Sequence, residues 1–583
     1  MMLVFDHQQR DDFAALVRAQ ELDERLAADE ASRLATAWLT DLPARWPADL
    51  LGRAVGCKLA GYNADLHAWT IRVQRATRAA SRFLREAKGV DFRLDDMRLG
   101  EYFMLAWARS RGLSVRLACP AAPMLEGLLE RHPPQCLREG HETFEFDMGN
   151  VLEHAGRGRD LPDRLGTLFV ATMETYLNPM IPVMRELLAR GQRVALLAPD
   201  AGTHWPASRD VPLPVERLRF DDLMTRRDAM EIRAQEKQVQ AWLERTEETL
   251  ATRFTSAGVD LWPLVAPDVH EVARLYLPMA SWLIDAGRRL AQDHGVGTLV
   301  CARLRRCAES ALASGVQKGG GRCLVIPHGH VGQSPTRRFI DGPYAWADRV
   351  CTWGDEQRRQ ILDKREGVRP ERVVVTGNPG WDTLTPPIDR PALRRSVCGV
   401  MGLDPTRGSL FVYATQADGF SQAAQVVRTL LETPGTQVVL KVHPREERTP
   451  YDALVRGCRR AVVVHGNEPR LHDLLAAADA VLTFHSTTNI ESLLLGTPVI
   501  SVALGELAGV DRLIELERWG LPLATDAKAL HAFVRACDAD PVAFRLSLGE
   551  AMANAAQDIA GGSGASARIA TMIVGGTRVA EAA

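Results

Sequence analysis

The spacing of apolar residues changes along the chain and predicts regions of different architecture. Residues 1–160 show mainly helical spacing, with one strand candidate at 114–118 (SVRLA). From residue 167 onward, short apolar runs of strand length alternate with helical stretches, which is the pattern of βαβ units. The strand candidates are 167–172, 193–198, 297–302, 323–326, 349–351, 372–376, 410–414, 437–442, 461–464, 480–484 and 498–502.

Prolines divide the alternating region and predict a second boundary. Pro386, Pro387 and Pro391 lie between two series of strand candidates. We therefore expect an α/β protein with two Rossmann-like, doubly wound domains in tandem, facing a cleft. The predicted domains are 1–160, mainly helical; 161–388, the first Rossmann-like domain; and 389–583, the second one with C-terminal helices.

Composition excludes several classes of protein. In 583 residues, Lys and Arg total 71 against 73 Asp and Glu, and this balance lacks the basic excess of a nucleic-acid-binding protein. No run reaches the ~18–20 apolar residues of a membrane helix, and the first residues, MMLVFDHQQRDD, do not resemble a secretory signal. The 10 cysteines include no CxxC pair, which favours a reduced cytoplasmic protein. Peripheral association with the inner face of a membrane is left open.

The first candidate site follows the strand candidate that ends at Phe484. Ser486, Thr487 and Thr488 form a hydroxyl-rich turn at the start of a helix, where backbone N–H groups and hydroxyls suit a phosphate. Glu491 lies one turn further along and is a candidate for holding a ribose diol. The alternatives are that the hydroxyls only cap the helix and that Glu491 only interacts with the helix dipole.

A second candidate site is the sequence Lys441-Val442-His443-Pro444, at the end of another buried strand. An imidazole at a strand tip can donate a hydrogen bond or a proton to a departing phosphate, and Pro444 cannot continue the strand. A structural histidine satisfied by backbone groups is the alternative.

A third strand candidate runs into Pro327-His328-Gly329-His330. Gly329 permits a close backbone approach to a ligand. His328 would then face His443 from the first Rossmann-like domain. A metal site at these histidines is not expected, because no third ligand has recognisable spacing.

Two weaker candidates follow the first strand of each Rossmann-like domain. Glu174 is placed to accept a proton from an acceptor hydroxyl, and Asp418 with Gly419 is placed to contact phosphate or base. A solvated carboxylate is the simpler interpretation of each.

Taken together, these motifs resemble GT-B glycosyltransferases over roughly residue 166 to the C-terminus. The segment 479–500, which ends in Gly496-Thr497-Pro498-Val499-Ile500, is similar to their nucleotide-binding motif. The pairing of KVHP with HSTT resembles the HP and Ser/Thr motifs of bacterial sialyltransferases, capsule Kdo transferases and polysialyltransferases. The sialyltransferases' paired-acid motif is not evident in this sequence.

The resemblance implies a metal-independent glycosyltransferase without a cofactor. Its expected partners are a nucleotide-sugar donor, favoured to be a CMP-linked 2-keto acid sugar, and a glycan, glycolipid or glycoprotein acceptor. Two alternatives stay open. The residues His328, Trp353-Gly354 and 377–382 (GNPGWD) resemble capsule-polysaccharide and CDP-glycerol phosphotransferase families, in which two histidines flank the transferred phosphate. The stretch 174–191 is also similar to UDP-GlcNAc 2-epimerases, although their Glu-Arg-Pro-Glu sequence is absent.

Overall fold

The structure is a computed structural model, and it describes most of the chain. The described residues are 2–20, 30, 34, 70, 72–94, 98–117, 148–158, 160–199, 211, 213–304, 307–330, 344–364, 368–416, 420–443, 446–466, 468–484, 486–505 and 514–580. By contacts the chain divides into two compact units. One holds Met1–Leu177, Leu187–Ile326 and Pro335–Arg349, and the other holds Asn178–Glu186, Pro327–Ser334 and Val350–Ala583.

The first 160 residues contain a small parallel sheet where the sequence indicated a mainly helical region with one strand. The sheet has the order β1-β2-β3. Its elements are β1 Met2–Phe5, α1 His7–Arg18, α2 72–83, β2 Gly89–Phe92, α3 Leu99–Ser110 and β3 Ser114–Leu117, followed by α4 Met148–Glu153. Only β3 was predicted. β2 (GVDF) contains a glycine and an aspartate and shows no continuous apolar run, and β1 (MLVF) is followed at once by the helical pattern of α1.

A core of aromatic rings holds this small sheet to its helices. Phe5 from β1 lies 5.1 Å from Phe92 of β2 and 6.0 Å from Phe13 of α1, measured between ring centroids. All three rings are buried. Aromatic pairs at such distances add to the stabilisation that burial provides.

The second sheet is doubly wound, as predicted. Its order is β10-β9-β8-β7-β4-β5-β6, in which β4 lies next to β7 and the chain order reverses. The strands are β4 Gly166–Val170, β5 Val194–Leu197, β6 Glu216–Leu218, β7 Val296–Cys301, β8 Arg322–Val325, β9 Arg349–Thr352 and β10 Val373–Val375. The helices are α5 Glu174–Leu177, α6 Met180–Ala189, α7 Arg226–Arg253, α8 Trp262–Glu271, α9 Leu277–Gln292, α10 Cys307–Lys318 and α11 Asp355–Lys364.

The third sheet has the order β13-β12-β11-β14-β15-β16, and its printed pairs are parallel. The strands are β11 Leu410–Ala414, β12 Gln437–Lys441, β13 Ala461–Val464, β14 Ala480–Thr483, β15 Val499–Val502 and β16 Leu523–Ala524. The helices are α12 Arg390–Met401, α13 Phe420–Glu432, α14 Thr449–Val455, α15 Leu471–Ala477, α16 Thr488–Leu494, α17 Ala527–Ala539, α18 Pro541–Ser547, α19 Gly549–Ala560 and α20 Ala565–Ala580. This strand order is that of a Rossmann-like sheet, so the predicted fold class of two doubly wound α/β domains is confirmed.

Both faces of the third sheet are covered. Tyr413, Leu440 and Leu482 belong to one buried cluster, while Val412, Val439 and Val481 belong to another. Burial on both faces explains why these strands read as continuous apolar runs in the sequence.

Candidate functional site

Three predicted segments lie at one edge of the third sheet, next to the point between β11 and β14 where the strand order reverses. Ala414 pairs with Lys441, and Tyr413 pairs with Leu482, so β11, β12 and β14 end at nearly the same level. β11 lies between the other two strands. With ~4.7–4.9 Å between neighbouring strands, the ends of β12 and β14 are ~10 Å apart. Ligands of doubly wound sheets bind outside such strand ends.

His443 follows β12 in a turn that is held through its backbone. The His443 N–H donates to Thr415 Oγ1 at 2.9 Å and lies 3.3 Å from Glu446 Oε2. The N–H of Glu446 donates back to the His443 carbonyl at 2.9 Å. Thr415 directly follows β11, so these bonds join the ends of two neighbouring strands.

The Glu446 carboxylate is the centre of this turn, and the sequence analysis did not select it. Its Oε2 accepts a hydrogen bond from the Thr415 hydroxyl, and its Oε1 accepts one from the Tyr451 hydroxyl at 2.5 Å. Tyr451 is only 2% exposed. Burial, followed by the hydrogen bond to Glu446, raises the pKa of Tyr451 and keeps the phenol a donor. The signal in the sequence was an acid three residues after the strand-end histidine.

Lys441 is directed towards the neighbouring strand β13. Its Nζ donates to the Gly466 carbonyl at 2.7 Å, and burial lowers the pKa of the amine. The structure thus shows a link between two strand ends, and a role for Lys441 in nucleotide binding stays a prediction.

Ser486 makes the hydrogen bonds of a helix-capping residue. Its Oγ accepts from the Thr488 N–H at 3.2 Å and donates to Thr488 Oγ1 at 3.0 Å. Thr487 occupies the N-cap of α16 without a side-chain capping bond. Ser486 thus engages both the Thr488 amide and the Thr488 hydroxyl, and the contact of this turn with a phosphate stays a prediction.

Glu491 lies in the first turn of α16 and contacts two side chains from other segments. Its Oε1 accepts from Trp381 Nε1 at 3.4 Å, and its Oε2 lies 3.6 Å from His472 Nε2. The neighbouring Glu491 carboxylate raises the pKa of His472, against the opposing effect of burial. With 16% of its side chain exposed, Glu491 has two protein partners, and its predicted contact with ribose is untested.

The His328 turn follows β8 and is fixed by residues that follow β9. Trp353 Nε1 donates to the Pro327 carbonyl at 3.0 Å, and Gln357 Nε2 donates to the Gly329 carbonyl at 3.2 Å. The His330 ring is buried, with its centroid 5.9 Å from that of Trp353. Residues Pro327–Ser334 are counted with the compact unit that also contains His443 and Glu491.

Glu174 lies in the other compact unit, at the switch point of the second sheet. It is the first residue of α5, half-buried, four residues after β4 ends. Nearby in sequence, the Thr172 hydroxyl donates to Glu309 Oε1 at 2.7 Å. Glu309 is fully buried in the first turn of α10, and the sequence analysis did not select it.

Some predicted residues cannot be placed. Asp418, Gly419 and Pro444 lie outside the described residues. Across the described part of the chain, no group of three or more His, Cys, Asp or Glu side chains is arranged to hold a metal ion. Within the same residues, every helix is too short or too polar to cross a bilayer.

Comparisons with solved structures find many chains of similar fold. The glycosyltransferase of Rickettsia africae is 9% identical, with a TM-score of 0.44 over 71% of this chain and 99% of that one. A variant of the wall teichoic acid polymerase TagF is 10% identical, with a TM-score of 0.41 over 74% and 92%. The UDP-GlcNAc 2-epimerase of Neisseria meningitidis is 11% identical, with a TM-score of 0.39 over 67% and 98%.

With TM-scores below 0.5, these likenesses carry no argument about activity. No protein-family model and no curated protein sequence matches the chain. The case for a function therefore depends on the site.

Proposed function

We propose that the chain is a nucleotide-sugar-dependent glycosyltransferase. Its donor is a CMP-activated 2-keto acid sugar, such as Kdo, sialic acid or a related nonulosonic acid. Its acceptor is a hydroxyl of a surface glycan, glycolipid or glycoprotein. The observation that carries the proposal is that β11, β12 and β14 end at nearly the same level of the sheet. The His443 turn and the hydroxyls of 486–488 therefore follow strands that end at one sheet edge.

This arrangement suits the departure of a phosphate. The acceptor oxygen attacks the anomeric carbon, the bond from that carbon to the phosphate oxygen breaks, and CMP leaves with the electron pair. Negative charge therefore grows on the phosphate. Donors that are already oriented stabilise such charge, and removing one of them typically costs ~10²–10³ in rate. In the proposal, His443 and the hydroxyls of Ser486, Thr487 and Thr488 are these donors.

The acceptor hydroxyl must lose a proton during the same step. Glu174 and His328 are the two proposed bases, since each lies within four residues of the end of a strand of the second sheet. Lys441, Gly329, Pro444, Asp418 and Gly419 are proposed to contact the nucleotide, and Glu491 the ribose.

A nucleotide panel tests the donor. Thermal unfolding of the full chain is measured with CMP, CDP, UDP, GDP and ADP at equal concentrations. A ligand that binds only the folded state stabilises it by mass action, by about 2.7 kcal/mol at 100 times its Kd. We expect the cytidine nucleotides to raise Tm most. A larger shift with UDP would exclude the CMP-sugar donor.

Product analysis tests the reaction. Incubation with CMP-N-acetylneuraminate or CMP-Kdo and an oligosaccharide acceptor should release CMP and lengthen the acceptor by one sugar. The second candidate is a CDP-polyol phosphotransferase, which is favoured by the presence of His328 and His443 in the same compact unit. That enzyme would also release CMP, but only its product would gain phosphorus, as 31P NMR would show.

A further inference from the structure

The carboxylate of Glu446 joins three separate segments at the edge where the His443 turn lies. Its partners are the Thr415 hydroxyl after β11, the Tyr451 hydroxyl on α14, and the backbone N–H of His443 after β12. All three groups donate, and the carboxylate is an acceptor with two oxygens to offer them.

We propose that Glu446 is a positioning residue, which holds the His443 turn so that the imidazole meets the departing phosphate. This inference rests on the proposed function, in which His443 stabilises that phosphate. Glu446 itself touches neither donor nor acceptor in the proposal, and it acts through the backbone of His443.

The geometry restricts the turn at both of its ends. The His443 N–H is directed to Thr415 Oγ1 at 2.9 Å, and Thr415 in turn donates to Glu446. The Glu446 N–H closes the turn onto the His443 carbonyl at 2.9 Å. His443 is thus held on both sides of its Cα by groups that Glu446 organises.

The Tyr451 contact anchors the carboxylate to the domain core. Tyr451 belongs to the buried cluster that contains Tyr413, Leu440 and Val442. Because its hydroxyl donates to Oε1 at 2.5 Å, the carboxylate is fixed relative to β11 and β12. A positioning group has to be held in this way, since a misplacement of about 1 Å can cost ~10²-fold in rate.

The first test is Glu446→Gln, with Glu447→Gln as the matched control. Glutamine keeps the shape but places an NH₂ group among three donors, whereas Glu447 is the next residue and is exposed. In CMP release from CMP-N-acetylneuraminate with acceptor, we expect kcat of Glu446→Gln to fall about 10–100-fold. KM for the donor should change little, and Glu447→Gln should match the wild type. Glu446→Asp, which keeps the charge, should recover part of the loss.

A double-mutant cycle separates positioning from a general structural effect. If Glu446 acts through His443, the double variant His443→Ala/Glu446→Gln is no slower than His443→Ala alone, because residues that act as a unit are not additive. The inference would be overturned if Glu446→Gln lowered kcat of His443→Ala by the same factor as it lowers kcat of the wild type. It would also be overturned if Glu446→Gln alone had the wild-type kcat.

Hydrogen exchange gives a readout that does not depend on turnover. The amide of residue 443 should exchange faster in Glu446→Gln than in the wild type or in Glu447→Gln, because its acceptors are disturbed. Unchanged exchange would refute the positioning role even if the donor were misassigned. A wild-type rate for His443→Ala, in contrast, would refute the proposed function, and the exchange result would still decide whether Glu446 holds the turn.

Discussion

Trp353 and Trp381 pack edge to face, with their ring centroids 4.6 Å apart and their planes at 61°. Trp353 holds the turn that carries His328, and Trp381 donates to the Glu491 carboxylate. The pair therefore connects two candidate motifs that lie about 160 residues apart in the chain, and it does so inside one buried cluster with Ile490 and Val499. Neither motif is an isolated loop.

The imidazole of His443 is the side chain most directly tied to the proposed chemistry. We expect His443→Ala to lower kcat for CMP release by about 10²–10³-fold, the usual cost of losing one charge-stabilising donor. The half-buried side chain leaves the backbone hydrogen bonds of the turn in place, so Tm should change little. His465→Ala, at an exposed histidine after β13, is the control, and equal rates for the two variants would contradict the assignment.

The ion pair between His472 and Glu491 predicts a pH dependence of stability. Because Glu491, with a smaller contribution from Asp473, raises the pKa of His472 in the folded state, protonated His472 stabilises the fold. That contribution is complete below the unfolded pKa of about 6.5 and is lost as pH rises through the raised folded pKa. Urea midpoints of the wild type and His472→Asn should therefore differ most at low pH and converge as pH increases. Parallel pH profiles for wild type and His472→Asn would contradict the prediction.

Gly354 allows the segment after β9 to approach the end of α19. A Cβ at Gly354 would lie 2.1 Å from the Asp558 carbonyl oxygen, which is backbone and cannot turn away. We expect Gly354→Ala to lower the free energy of unfolding by about 1–3 kcal/mol, the usual cost of overpacking.

The matched control for this glycine is Gly399→Ala, inside α12, where a Cβ would meet nothing within 4 Å. That change should raise the free energy of unfolding by about 0.4–1 kcal/mol, because alanine gives the unfolded chain fewer conformations than glycine does. Urea denaturation monitored by circular dichroism measures both, and destabilisation of similar size in the two variants would argue against a specific close approach.

Arg10 and Glu101 form a buried, bidentate ion pair in the N-terminal sheet region. Arg10 Nε lies 2.6 Å from Oε1 and Nη2 lies 3.0 Å from Oε2, and both residues are at most 5% exposed. Arg10→Met should cost about 3–5 kcal/mol because it leaves a buried carboxylate without its cation.

The double variant Arg10→Met/Glu101→Leu should lose less than Arg10→Met alone, because no uncompensated charge stays buried. Arg18→Met, at an exposed position on the same helix, is the control. Chemical denaturation measures all three variants, and a double variant less stable than Arg10→Met would show that the carboxylate's other bond, to the Arg98 N–H at 2.8 Å, matters more.

The sequence by itself determined the doubly wound sheets and the places where polar turns follow them. The strand candidates 410–414 and 461–464 match β11 and β13 residue for residue, because a strand buried on both faces has to be apolar throughout. The positions of His443 and Ser486 at strand ends follow from the same local pattern.

Only the tertiary structure decided which side chains meet. β1 and β2 were not predicted, and they exist because β2 pairs with β1 on one side and with β3 on the other. Thr415, a partner of Glu446, and Trp381, a partner of Glu491, come from segments that are remote in the chain. A hydrogen bond of this kind depends on how strands and helices are ordered in space, and the local spacing of apolar residues does not determine that order.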